Sequence, residues 1–178
     1  MVTMKSIICL LFLLIFFTFA GGDLYAQHRK LTVILLRHAE KDISEGADTV
    51  NPELSAAGKL RAEKLVEVVK KYQPDAIYSS NYIRTREMAR PLARSRRMMI
   101  QLYDPRNLGQ MNDLILSGKI KRVVVIGHNN TTPALANLLI GQDKYKTLAE
   151  TEYDKIWIVK IKRNKTKLNK ANDKVIKY

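Results

Sequence analysis

The chain has 178 residues, 46% of them hydrophobic and 27% charged, with 31 Lys or Arg against 17 Asp or Glu for a net charge of +14. That length gives one ordinary domain and not two, and that composition excludes a disordered chain. The single cysteine, Cys9, excludes a disulfide framework.

Lys5, the apolar run Ile7 to Phe17 and a small-residue region ending Leu24-Tyr25-Ala26 form the three-part pattern of a secretory signal peptide. Residues 1–26 are therefore expected to be cleaved, leaving a domain over 27–178 that is periplasmic or secreted. The alternative is an uncleaved N-terminal anchor, although the uncharged stretch Ser6 to Gly22 is only 17 residues, short of the ~20 that span a bilayer. Lys5 on the cytoplasmic side exports the domain in both cases.

Apolar runs of strand length then alternate with longer helical patterns, the mark of an α/β domain. The expected architecture is a three-layer α/β/α sandwich with a mostly parallel central sheet. Leu31 to Leu36 reads as a buried central strand. Lys41 to Glu53 is polar and aperiodic, a loop over the carboxyl ends of the strands. Ser55 is expected to cap a helix reaching about Tyr72, with Leu60, Leu65, Val66 and Val69 as its apolar positions. Ala76 to Ser79 is a short strand, and Asn81 is expected to cap a helix through about Arg94. Met99 to Tyr103 and Val123 to Ile126 are further strands. Thr132-Pro133 reads as a cap followed by proline at the first helical position. Ile156 to Lys162 alternates, and Asn164 is placed in the turn of a terminal hairpin.

Residues of one chemical purpose collect at three of these strand ends. They are Arg37-His38-Ala39-Glu40, Ser79-Ser80 with Arg84 one turn into a helix, and Gly127-His128-Asn129. Two histidines and two arginines would then face one crevice beside a helix N-terminus, a setting that favours anions. A metal site is disfavoured, because no His-x-x-x-His or comparable spacing occurs and two arginines would repel a cation. No metal and no other cofactor is expected.

These residues resemble the histidine phosphatase superfamily, also called phosphoglycerate mutase-like, in a small, minimal-domain form. The matching motifs are Arg37-His38-Ala39-Glu40, Leu54-Ser55-x-x-Gly58, Ile77-Tyr78-Ser79-Ser80 with Arg84-Thr85, and Val125-Ile126-Gly127-His128-Asn129. The resemblance implies that His38 is the phosphorylated nucleophile, that Arg37 and Arg84 bind the phosphate, and that His128 completes the pocket. It implies a phosphatase acting on a phosphomonoester through a phosphohistidine intermediate. Guanidinium groups suit that chemistry, being planar, always charged and bidentate toward phosphoryl oxygens. Larger members carry a glutamate general acid in an insertion after the second motif, for which this chain has little room. Asp104, then Glu40, are the candidates for that role. Met88, where the family often has a small residue, is expected to alter only helix packing.

The partner expected is a phosphorylated small molecule or envelope substrate. Lys155 to Tyr178 carries nine Lys or Arg against Asp173 alone, so this segment could associate with an anionic membrane surface or simply form a solvated face. Nucleic acid is not expected, because the basic segment lacks interleaved aromatics. The competing function is a non-catalytic basic module that binds envelope or phosphate groups on the same scaffold.

Overall fold

A computed structural model describes residues 30–162 and 170–178. The N-terminal pattern over 1–26, Cys9 and the turn around Asn164 lie outside the described residues.

Six strands form one sheet: β1 (Lys30–Arg37), β2 (Ala76–Ser80), β3 (Ile100–Tyr103), β4 (Arg122–Gly127), β5 (Lys155–Lys162) and β6 (Lys170–Lys177), in the order β3-β2-β4-β1-β5-β6. Strands β3, β2, β4 and β1 run parallel, β5 is antiparallel to β1, and β6 is antiparallel to β5. Among the described residues, four helices flank the sheet: α1 (Ala56–Lys70), α2 (Ile83–Arg96), α3 (Leu108–Leu116) and α4 (Thr131–Ile140).

The strand β1 is apolar without alternation because both of its faces are covered. Leu31, Val33 and Leu35 join Met111, Ile115, Leu135 and Trp157 in one buried cluster, under α3 and α4. Ile34 and Leu36 join Leu65, Val69, Leu92 and Ile158 in the other, under α1 and α2. The expected three layers follow from these two cores. Met88 lies fully buried in the second cluster, a packing position on α2.

Several local expectations are corrected. Leu60 is 72% exposed. The buried stripe of α1 runs instead through Gly58, Ala62, Leu65 and Val69, the i, i+4, i+7, i+11 spacing of one helical face, and Leu60 falls off it. Ser55 is the N-cap as read, its hydroxyl accepting from the Gly58 amide at 3.1 Å. For α2 the cap residue is Tyr82 rather than Asn81, and its side chain makes no capping bond. The amide of Ile83 finds its acceptor across the fold, in Asn51 Oδ1 at 2.9 Å. Asn81 accepts from Arg86 Nη1 instead. For α4 the cap is Asn130, not Thr132, and Thr131 begins the helix. The helix α3, capped by Asn107 Oδ1 on the Gln110 amide at 3.0 Å, has no counterpart among the elements read from the sequence.

One glycine is required by a close approach. A Cβ on Gly58 would lie 2.3 Å from the carbonyl oxygen of Glu40, so the start of α1 can sit against the segment after β1 only with glycine there. This contact presses α1 onto the strand end that carries His38.

Candidate active site

The register brings the three motif-bearing strand ends side by side. Arg37 pairs with Gly127 across β1 and β4, and Ser79 with Ile126 across β2 and β4. His38 follows β1 directly, and its backbone amide donates to the Gly127 carbonyl at 3.0 Å. His128 follows β4, with its amide donating to Thr131 Oγ1 at 2.9 Å. The His38 and His128 rings meet edge to face, centroids 5.6 Å apart. The structure therefore gathers Arg37, His38, Arg84 and His128 in one crevice at the carboxyl ends of the strands, where open α/β sheets bind ligands.

The tautomer of His38 is set by its neighbour. Nδ1 lies 2.7 Å from the Ala39 carbonyl oxygen, which can only accept, so Nδ1 carries the proton and Nε2 keeps its lone pair. Burial lowers the His38 pKa to about 3, with the Ala39 bond opposing and Arg37, Arg84 and His128 adding to the fall. Burial, then Arg84 and Arg37, lowers His128 to about 4. Both rings are thus neutral at pH 7. The Ser80 hydroxyl stands 2.9 Å from His128 Nε2 and donates to Thr85 Oγ1 at 3.1 Å, tying the second motif to the last.

A pH dependence of stability follows with a definite sign. In the unfolded chain each histidine takes a proton near pH 6.5, whereas in the folded chain neither does until about pH 4 or 3. The unfolded state then binds more protons across that interval, so stability is full above about pH 6.5 and falls as the pH drops toward 3. Thermal unfolding midpoints measured from pH 7 to pH 4 should decline, and more steeply than in the double variant His38→Asn, His128→Asn. Parallel curves for the two proteins would exclude the histidines as the cause.

Arg37 is buried, at 1% exposure. Its Nη1 donates to three carbonyls of one turn, Ala149 at 2.8 Å, Glu150 at 3.3 Å and Glu152 at 3.0 Å. Its Nε has no partner among the described residues, and neither do Nε and Nη1 of Arg84, although all three are buried. Burial lowers the pKa of both guanidiniums, and at Arg84 the like charge of Arg37 adds to the fall. Two desolvated cations with unpaired donors form a pocket whose electrostatics call for an anion.

Residues that the sequence reading did not single out complete the walls. The Tyr153 ring lies under the Arg37 guanidinium at 4.2 Å, and Tyr82 under that of Arg84 at 4.6 Å. Tyr82 also meets the His128 ring edge to face at 4.9 Å. Glu150 stands beside Arg37 Nη2 at 3.5 Å and Lys41 Nζ at 3.8 Å, and accepts from Asn129 Nδ2 at 2.8 Å. Tyr153 and Glu150 belong to the segment between α4 and β5, which has no regular pattern to read.

The two carboxylates expected as acids are otherwise engaged. Asp104 takes Nε and Nη2 of Arg106 at 3.0 Å each. It lines an open groove of about 510 Å³ with Tyr82, Leu102, Tyr103 and Pro105. Glu40 accepts from Nε of Arg61 through both oxygens. These guanidinium bonds hold both carboxyls below the usual carboxylate range, the wrong direction for a proton donor. No group of three or more His, Cys, Asp or Glu that could hold a metal ion occurs among the described residues.

The model of the histidine phosphatase superfamily (branch 1) matches residues 33–106, a span holding His38, the Ser55 cap, Gly58 and Arg84 but ending before His128. Over that span the chain is similar to the superfamily, and the gathered motifs are those of the resemblance. Among solved structures, Mycobacterial hydrolase 1 is similar at 16% identity and a TM-score of 0.65, over 82% of this chain and 97% of that one. The mycobacterial glucosyl-3-phosphoglycerate phosphatase Rv2419c is similar at 16% identity and a TM-score of 0.61, over 75% and 91%. The protein histidine phosphatase SixA complexed with tungstate is similar at 12% identity and a TM-score of 0.62, over 83% and 97%. At these identities the likeness is one of fold. No curated protein matches the chain.

Proposed function

We propose that this protein is a phosphatase that hydrolyses a phosphomonoester through a phosphohistidine on His38, without a metal ion. The observation that carries the reading is the set of buried, unpartnered donors on Arg37 and Arg84 beside the free Nε2 of His38. Phosphoryl transfer spreads negative charge over three equatorial oxygens, so catalysis is chiefly positioning and electrostatic stabilisation. Arg37 and Arg84 receive that charge, and His128 adds a polar edge to the same pocket. Nε2 of neutral His38 attacks phosphorus, the P–O bond breaks, and Nδ1–H, held on the Ala39 carbonyl, steadies the positive charge that the ring acquires. Water then attacks phosphorus, a new P–O bond forms, and the P–N bond breaks with its pair returning to Nε2, releasing phosphate and neutral imidazole.

The names of Rv2419c and SixA, a glucosyl-3-phosphoglycerate phosphatase and a protein histidine phosphatase, support the phosphatase class without choosing a substrate. Export to the periplasm or beyond belongs to the proposal and rests on the N-terminal pattern over 1–26. So does contact of the basic C-terminal segment with an anionic membrane surface, which would bring phosphorylated envelope substrates to the site.

Rapid-quench trapping during turnover of a labelled phosphomonoester, with a chelator present, tests the reading. One phosphoryl group should appear on the peptide containing His38, stable to alkali and labile to acid. An acid-stable label, a label on another peptide, or activity that vanishes with chelator and returns with a divalent cation would sink it.

A further inference from the structure

We propose that Glu150 is the general acid–base of this reaction, a proposal that rests on the phosphatase reading above. An alkoxide is a poor leaving group, so cleavage of an alkyl phosphate needs a proton delivered to the departing oxygen. Asp104 and Glu40 are committed to Arg106 and Arg61. The carboxylate that the fold does bring to the phosphate-facing side of Arg37 is Glu150. Because Arg37 spends Nη1 on the three carbonyls of the turn, Nε and Nη2 are what it can offer a ligand, and Glu150 Oε2 stands 3.5 Å from Nη2. Its charge also acts on Arg84. A phosphoryl group bridging the two guanidiniums would thus arrive against this carboxyl, and two anionic groups so placed are accommodated by a proton held between them.

The side chain is also free to exchange that proton. Glu150 is 67% exposed on its side chain, tethered by Asn129 Nδ2 and by Lys41 rather than enclosed. Asn129 adjoins His128, so the tether anchors the carboxyl to the strand end that forms the pocket. In the first half-reaction the P–Nε2 bond forms as the P–O bond breaks. The bonding pair stays on the leaving oxygen, which takes the proton of the Glu150 carboxyl. In the second, the carboxylate takes a proton from the water that attacks phosphorus as the P–N bond breaks. Phosphate departs and the carboxyl is restored, so an ester and one water give an alcohol and phosphate.

The test is rapid-quench phosphorylation of the full chain and its Glu150→Gln variant by an alkyl phosphate and by 2,4-dinitrophenyl phosphate. Glu150→Gln should slow phosphoenzyme formation from the alkyl ester by at least about 10²-fold, and from the activated aryl ester by no more than a few-fold. Glu150→Asp should recover part of the alkyl rate. Equal slowing of both esters overturns the proposal. So does a lower KM with unchanged kcat for both, which would make the carboxylate only a competitor for Arg37. A wild-type chain that forms no phosphoenzyme on His38 removes the phosphatase reading and this proposal together. Once that phosphoenzyme is seen, the comparison of esters judges Glu150 alone.

Discussion

Replacing His38 with alanine is expected to lower phosphomonoester turnover by at least about 10⁴-fold, the scale of losing a nucleophile with its covalent step. The side chain supplies Nε2, whose lone pair is fixed by the Nδ1 bond to the neighbouring carbonyl. No other described group replaces it. The His128 ring has its Nε2 engaged with the Ser80 hydroxyl at 2.9 Å. The variant should still fold, because His38 belongs to neither apolar cluster and its hydrogen bond is local in sequence. Steady-state kinetics beside a denaturation curve check both halves. Retention of a tenth of the wild-type rate by a folded variant would remove His38 from the role of nucleophile.

Arg84→Ala is expected to lower kcat/KM by about 10²–10³, the usual loss for one donor aimed at developing charge. Lysine at the same position should recover only part, since an ammonium keeps the charge and loses the two-pronged geometry. Arg84 is a cleaner probe than Arg37, whose Nη1 also holds the turn at 149–152 through three carbonyls. Arg84 spends neither Nε nor Nη1 on the protein. Its removal should leave the unfolding midpoint unchanged or raised, because a buried cation repelled by Arg37 disappears. Inorganic phosphate should raise the midpoint of the wild type by binding the folded state, and should do so much less for Arg84→Ala. A variant that is destabilised, and still stabilised by phosphate as strongly as the wild type, would assign Arg84 a structural role.

The elements that the sequence made legible are those whose signals are local. The segments Val33 to Leu36 of β1 and Val123 to Ile126 of β4 are unbroken apolar runs because both sheet faces are covered, and that burial leaves its trace in adjacent residues. The cap at Ser55 is likewise a bond between residues three apart. The three strand ends bearing Arg37-His38, Arg84 and Gly127-His128 could be found because strand boundaries and their chemistry lie in single short stretches. The helix α3 escaped because its nine residues include Gly109, Asn112 and Asp113, weak helix formers that blur its period. Leu102 lies in an apolar stretch and is nonetheless 54% exposed, since β3 is an edge strand and strand order is not written in its own residues.

Length, charge and the four motifs together determined the fold class and the pocket's four central residues. Only the tertiary structure decided what surrounds them. Arg37 is held by carbonyls 112 to 115 positions away in the chain, and Glu150 reaches it from a segment with no periodicity. The cap of α2 comes from Asn51, 32 positions from the amide it satisfies. Asp104 is engaged by Arg106, a pairing that the spacing of two residues does not by itself dictate. Hydrophobic periodicity and capping are set by residues within a turn or a pleat of one another. Which carboxylate meets which guanidinium depends instead on how the sheet is ordered and how its connections return over the strand ends, and that is fixed only when the whole chain has packed.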